Sequence, residues 1–114
     1  MVVEAVVDER MLAAGGTPVL RTAALVELCE RAGRGLVAPL LERGEEAVGV
    51  EIHLVHHAAA ARGSTVRCVA DEARIDGRRV SLSLRTEGPA GLLAEGRLVL
   101  ALTSAAAGLD LGEG

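Results

Sequence analysis

The sequence predicts an α+β domain in which one long helix packs across a curved antiparallel sheet of about five strands, in the order β-α-β-β-β-β. Three observations carry this. Only one stretch, from Thr22 to Leu40, has apolar residues at helical spacing. A short β-branched run precedes it, and the segments that follow alternate apolar and polar residues with period two. No internal repeat and no long linker divides the 114 residues, a length that suits one domain.

The first strand is VVEAVV, Val2 to Val7. The loop DERMLAAGGTP follows, punctuated by Gly15-Gly16 and Pro18. The helix is read from Ala24, Leu25, Leu28, Cys29, Ala32, Leu36 and Leu40, which recur three and four apart. Thr22 suits its N-cap, and Thr17-Pro18 is a rival start. Gly33 and Gly35 weaken the helix, and Pro39 should end or kink it after about four turns. Strands are expected near 47–57, 64–75, 78–86 and 92–103, separated by AAAARG, IDGRR and TEGPAG. Asp76-Gly77 is a hairpin signal. Val80, Leu82 and Leu84 alternate with Ser81, Ser83 and Arg85, and Leu98, Leu100 and Leu102 repeat the pattern. The expected domain is 1–104, with 105–114 as a frayed tail. A helix wrapped by a curved sheet in this order is the hotdog fold. Its open edges predict pairing with a second copy, as a homodimer or a dimer of dimers.

Composition narrows the function. Half the residues are apolar and none is Phe, Trp or Tyr, so Leu, Val, Ile and Ala must build the core. Without rings to stack on bases, and with a net charge of −4, the chain is not expected to bind nucleic acid. All twelve basic residues are arginine, which reads mainly as genomic base composition. Cys29 and Cys68 lack a CxxC arrangement and read as small buried hydrophobes in a reducing compartment. Spacing alone leaves a disulfide between them open. No run has the length and apolarity of a membrane span, and MVVEAVVDER lacks the basic start of a signal peptide. A cytoplasmic protein without membrane partners is the expectation.

The chemistry centres on IHLVHHAAAARGSTV, which holds all three histidines, His53, His56 and His57. Along a strand, Ile52, Leu54 and His56 share one face, while His53 and His57 share the other with Val55. His53 and His57 are about 13 Å apart at strand rise, too far for one ion, and no HExxH or paired cysteine set is present. No metal and no cofactor is expected. His56 lies on the more apolar face and is either a satisfied core histidine or a functional one. On the helix, Glu30 edges the apolar stripe, either as a pocket base or as a solvated acid paired with Arg34 four residues on. Gly49, inside a strand pattern, marks a bulge or a close approach by another backbone or a ligand.

Taken together, Thr22 to Arg85 resembles the fluoroacetyl-CoA thioesterase family of hotdog proteins. The resemblance rests on Thr22 opening the helix with Glu30 eight residues on, Pro39-Leu40, Gly44-Glu45, Gly49, His56 with Ala58-Ala59, Gly63, and Gly77-Arg78-Arg79. It implies Thr22, Glu30 and His56 as the catalytic set and places Gly49 near the thioester carbonyl. Two departures stand out. The family's fluoroacetyl-specific enzyme closes its pocket with phenylalanines, which this chain lacks, and Arg97 follows Gly96 directly where the family spaces the two.

The implied reaction is hydrolysis of an acyl-CoA thioester. Glu30 would activate water or attack the carbonyl to form an anhydride, Thr22 would orient it, and His56 would assist proton transfer. A backbone N–H near Gly49 or at the helix N-terminus would hold the oxyanion. Arg62, Arg78 and Arg79 are candidates for CoA phosphates, or simply solvated charges. The rival readings are a non-catalytic acyl-CoA-binding module and a hotdog hydratase. The hydratase pairs an Asp with a His five residues later, and Glu51 stands at that position before His56.

Overall fold

The apolar stripe folds as α1 (Thr22–Val37, 16 residues), with Leu25, Leu28, Cys29, Ala32 and Val37 buried. Pro39 stops it, because its ring cannot continue the helical hydrogen bonds, and the chain leaves through a 3-10 turn at Ala38–Leu40. The structure, a computed structural model, describes residues 1–15 and 17–104. The expected frayed tail, 105–114, lies outside the described residues, as does Gly16 of the first loop.

The helix start departs from expectation. Arg21, not Thr22, is the N-cap residue, its backbone is extended, and no side chain caps the first turn. Thr22 is the first helical residue, and its hydroxyl bonds elsewhere. The rival start is not used either, since Val19 and Leu20 make isolated bridges to Ala61 and Leu12.

The strands are β1 (Val2–Val6), β2 (Glu45–His56), β3 (Thr65–Asp76), β4 (Arg79–Gly88) and β5 (Gly91–Ser104). Each boundary falls within two residues of the sequence reading. They form one five-stranded sheet in the order β1-β3-β4-β5-β2, and every pairing is antiparallel. The β3–β4 hairpin closes at the Asp76–Arg79 pair, so its loop is Gly77-Arg78, and Gly77 supplies the positive φ of 63°. The sheet curls around α1 as a hotdog fold, leaving β1 and β2 at its two edges. Among the described residues, no helix is long and apolar enough to cross a membrane.

The core lies between helix and sheet and is aliphatic, with Leu20, Leu25, Leu82, Leu98, Leu100 and Val80 almost wholly buried. Gly33, which costs the helix some intrinsic stability, lets it sit close to the sheet. A β-carbon there would lie 2.6 Å from Leu98 Cδ2.

One irregularity positions the site. In the β2–β5 pairing, Gly49 faces Leu100 and Glu51 faces Val99, so Val50 is an extra residue. Gly49 and His56 are seven residues apart and would point to opposite faces of a regular strand. The bulge changes the parity. Gly49 pairs with buried Leu100 and His56 with buried Ala94, so both face inward, toward the helix.

Candidate active site

The site forms where α1 passes beneath β2, and the structure assembles its expected residues as two pairs. The first is Thr22 with His56. Thr22 Oγ1 lies 3.0 Å from His56 Nδ1, joining the first turn of the helix to the last residue of β2. This bond explains why Thr22 does not cap the helix, since its hydroxyl is directed across to the strand. The other ring nitrogen of His56, Nε2, is buried and has no hydrogen-bond partner among the described residues. Such a group is costly and uncommon unless it serves a purpose. The geometry leaves the tautomer open, but the Thr22 hydroxyl fixes the ring's orientation.

The second pair is Glu30 with Gly49. A β-carbon on Gly49 would stand 2.6 Å from Glu30 Oε2 and 3.4 Å from its Cδ. The carboxylate therefore occupies the space that any other residue at position 49 would fill. Its side chain is 31% exposed, so solvent and a small substrate reach it. Arg34 Nη1 stands 3.7 Å from the same oxygen, so the expected pair forms at i, i+4. That pair and a role in chemistry are compatible, because the arginine leaves the carboxylate accessible.

The two pairs do not touch within one chain. Eight residues of helix separate Thr22 from Glu30, about 12 Å of rise. Neither Thr22 nor His56 bonds Glu30 among the described residues. His53 and His57 stand apart from both pairs. His57 Nε2 lies 2.9 Å from Glu95 Oε2, and His53 lines a recess on the outer face of the sheet with Glu95 and Arg97.

The arginines considered for CoA phosphates are spread out. Arg62 pairs with Glu9 beyond the His56 end of β2, whereas Arg78 Nη2 lies 3.3 Å from Glu45 Oε2 at the strand's start. The length of β2, roughly 35 Å at strand rise, lies between them, so one phosphate cluster cannot meet both in a single protomer.

The helix flank facing the core carries a buried polar cluster. The Thr86 hydroxyl donates to Cys68 Sγ at 3.3 Å and lies 3.7 Å from Cys29 Sγ. Both cysteines are free and buried. The hydrogen bond with Cys68, together with burial, pushes the Cys29 thiol far up from its ordinary value. Cys68 is pulled down to about 7, chiefly by the hydrogen bond from Cys29. Each thiol sets the other's value, so the two do not share a charge easily.

A family model, the fluoroacetyl-CoA-specific thioesterases, matches residues 3–104. The chain belongs to this family. Its fold agrees with solved relatives. A thioesterase superfamily member from Thermus thermophilus is 32% identical with a TM-score of 0.87, over 93% of this chain and 82% of that one. A fluoroacetyl-CoA thioesterase is 27% identical with a TM-score of 0.88, over 94% of this chain and 87% of that one. A mutant of the fluoroacetyl-CoA-specific enzyme, solved with fluoroacetate and CoA, is 27% identical with a TM-score of 0.87, over 94% and 91% of the two chains. Among curated proteins, none matches the sequence. The family and these neighbours place the chain among thioester hydrolases.

The residue that sequence reasoning missed is Leu98. It packs against both Gly33 and Gly49. Its period-two pattern identifies it as core, but only the β2–β5 register brings it beside Gly49, and no local signal in the sequence encodes that register.

Proposed function

We propose that the protein hydrolyses an acyl-CoA thioester to a free acid and CoA. The observation that carries this reading is the Thr22–His56 bond at 3.0 Å, which holds an imidazole whose second nitrogen is buried and unpartnered. A ring held in that way is ready to exchange a proton with a substrate group. Glu30 acts as the base that activates water or as the nucleophile. Gly49 leaves room for the carboxylate itself, and a backbone N–H on β2 takes the developing oxyanion charge. The leaving thiolate needs little assistance, so two such pairs suffice.

The working form is a homodimer, and any further pairing into a dimer of dimers uses other surfaces. β2 is an edge strand with Ile52 and Val55 exposed, 38% and 43%. Two copies related by a two-fold axis along this edge run antiparallel. That arrangement sets the His56 end of one strand beside the Gly49 end of the other, so the separated pairs of the single chain meet across the interface. The fold, the apolar edge and the gap of about 12 Å between the pairs support this reading. A cytoplasmic location is proposed with it.

The test is release of free CoA thiol from a panel of acyl-CoAs by the parent and by Glu30→Gln. Release that falls at least about a hundredfold in the variant, with the fold intact, is the expected result. Binding of CoA esters without release would replace the enzyme with a binding module. Undiminished release in the variant would remove Glu30 from the mechanism.

A further inference from the structure

The two buried thiols take no part in the hydrolysis proposed above, and their surroundings point to a reaction of their own. Cys68 of β3 and Thr86 of β4 are direct partners in the sheet, and Cys29 of α1 packs onto that pair. The Thr86 hydroxyl lies 3.3 Å from Cys68 Sγ and 3.7 Å from Cys29 Sγ, so one oxygen is within reach of both sulfurs. The chains that carry them are close as well. β3 is the strand on which α1 packs most extensively, and Gly33, one turn beyond Cys29, lets the helix lie near the sheet. We propose that Cys29 and Cys68 form a reversible disulfide when a hydroperoxide is present, and that this bond switches the site off by moving Glu30, the next residue on the helix. The effect on turnover rests on the thioesterase reading, whereas the disulfide does not.

The two thiols differ in the way such a reaction needs. Cys68 is pulled down to about 7, first by the hydrogen bond from Cys29 and then by Thr86 and the charge of Arg31, so its thiolate is present near neutral pH. Cys29 is held protonated, chiefly by Cys68 itself. Exposures of 0% and 1% keep bulky disulfide oxidants out, and a small hydroperoxide enters as the fold opens locally. The Cys68 thiolate attacks the peroxide O–O bond, an S–O bond forms, and the departing hydroxide takes a proton to become water. Cys68 is then a neutral sulfenic acid, so the charge that kept Cys29 protonated is gone. The Cys29 sulfur attacks, the S–S bond forms, the S–O bond breaks, and hydroxide leaves with the Cys29 proton as a second water. Two thiols have lost two electrons, and one peroxide has become two waters. A bond of about 2.05 Å in place of a shared hydroxyl draws this turn of α1 toward β3. In the sheet β3 lies on the far side from β2, so Glu30 is drawn away from the space that Gly49 leaves for it. A shift of about 1 Å costs a catalytic group up to about a hundredfold.

The experiment treats the folded parent with hydrogen peroxide, removes the peroxide, and reads intact mass, linked peptides and turnover, the last by loss of thioester absorbance so that no thiol reagent is needed. The expected product is lighter by two hydrogens, carries a Cys29–Cys68 link within one chain, and turns over about tenfold or more slowly. Dithiothreitol should restore both mass and turnover. Cys29→Ser should stop at a Cys68 sulfenic acid that dimedone traps, and Cys68→Ser should be insensitive to peroxide. Cys29→Ala and Cys68→Ala replace these where a buried serine prevents folding, and the cross-link in the parent needs no variant. A parent that keeps both thiols under peroxide, or gains oxygen without a cross-link, overturns the proposal. Full turnover in the cross-linked protein overturns the switch. A parent that hydrolyses no ester refutes the thioesterase reading alone. The mass then decides the disulfide, and the Kd for acetyl-CoA before and after oxidation decides the switch.

Discussion

The carboxylate of Glu30 and the missing side chain of Gly49 occupy one volume, because a β-carbon at position 49 would lie 2.6 Å from Glu30 Oε2. The obstacle would be the end of a side chain and not backbone, so the smallest substitution moves the carboxylate and leaves the strand in place. Gly49→Ala is expected to fold normally and to lose about ten- to a hundredfold in kcat/KM, as misplaced catalytic groups do. Circular dichroism and thiol release measured together check this. A variant with full activity would show that the position of Glu30 does not matter.

If the two pairs meet across a dimer, inactive variants should rescue each other. Mixing Glu30→Gln with His56→Ala leaves one intact site in each mixed dimer. Random exchange of subunits then returns about a quarter of the parent activity. No recovery, in a preparation where subunit exchange is demonstrated by mass spectrometry, would place each complete site within one protomer.

Thr22 bonds His56 and does not cap α1. Its removal should therefore affect activity more than stability. Thr22→Ala is expected to change the unfolding free energy by less than about 0.5 kcal/mol, where loss of a true cap costs about 1 kcal/mol. Its kcat/KM should fall about tenfold or more, and Thr22→Ser should restore most of it. Urea unfolding beside thiol-release kinetics separates the two effects. A large loss of stability would return Thr22 to the role of cap.

Gly96 is a different kind of glycine. A β-carbon there would lie 1.8 Å from the carbonyl oxygen of His53 and 2.9 Å from Leu54 Cα, both backbone atoms of the paired strand. No side-chain adjustment relieves this. Gly96→Ala is expected to separate β5 from β2 and to cost more than about 3 kcal/mol, at the severe end for a single substitution. A denaturation midpoint close to the parent's would contradict the register described here.

Cys29 predicts an alkaline limit to stability. Its thiol stays neutral in the fold well above the ordinary value of 9.0, while the unfolded chain ionises there. The unfolded state then holds fewer protons than the folded state, so stability falls as pH rises above about 9, by roughly 1.4 kcal/mol per pH unit. Cys68 is pulled down to about 7 and is ionised in both states in that range, so it does not offset the loss. Replacing both thiols, Cys29→Ala with Cys68→Ala, should flatten the slope in urea titrations between pH 9 and 10, taken as roughly one unit above the ordinary thiol value, because Cys29→Ala alone would leave Cys68 buried without the hydrogen bond that lowers it. An unchanged slope would assign the loss to another group.

Much of the architecture was legible because it depends on local periodicity. The stripe from Ala24 to Ala32 defines the helix, and the alternation from Val80 to Leu84 defines a strand, whatever lies elsewhere in the chain. The inward face of His56 followed from the same rule. What depends on distant partners was not legible. The cap moved from Thr22 to Arg21 because a histidine 34 residues away engages the threonine hydroxyl. The Asp76-Gly77 signal marked the right turn but not its closing pair, which register decides. Gly49 was readable as a bulge or a close approach, and it proved to be at both. Leu98 could be read only as core, since nothing near it in sequence reveals the two glycines it meets.

Val50 carries a consequence for how such a chain can change over generations. It is the unpaired residue that lets Gly49 and His56 face the same way. Deleting this one codon would leave the strand paired and its composition almost unaltered, yet would turn one end of the site outward relative to the other. Point changes along β2 can be explored one at a time. Changes of length within the seven steps from Gly49 to His56 cannot, because the odd interval and the bulge are inherited together or lost together.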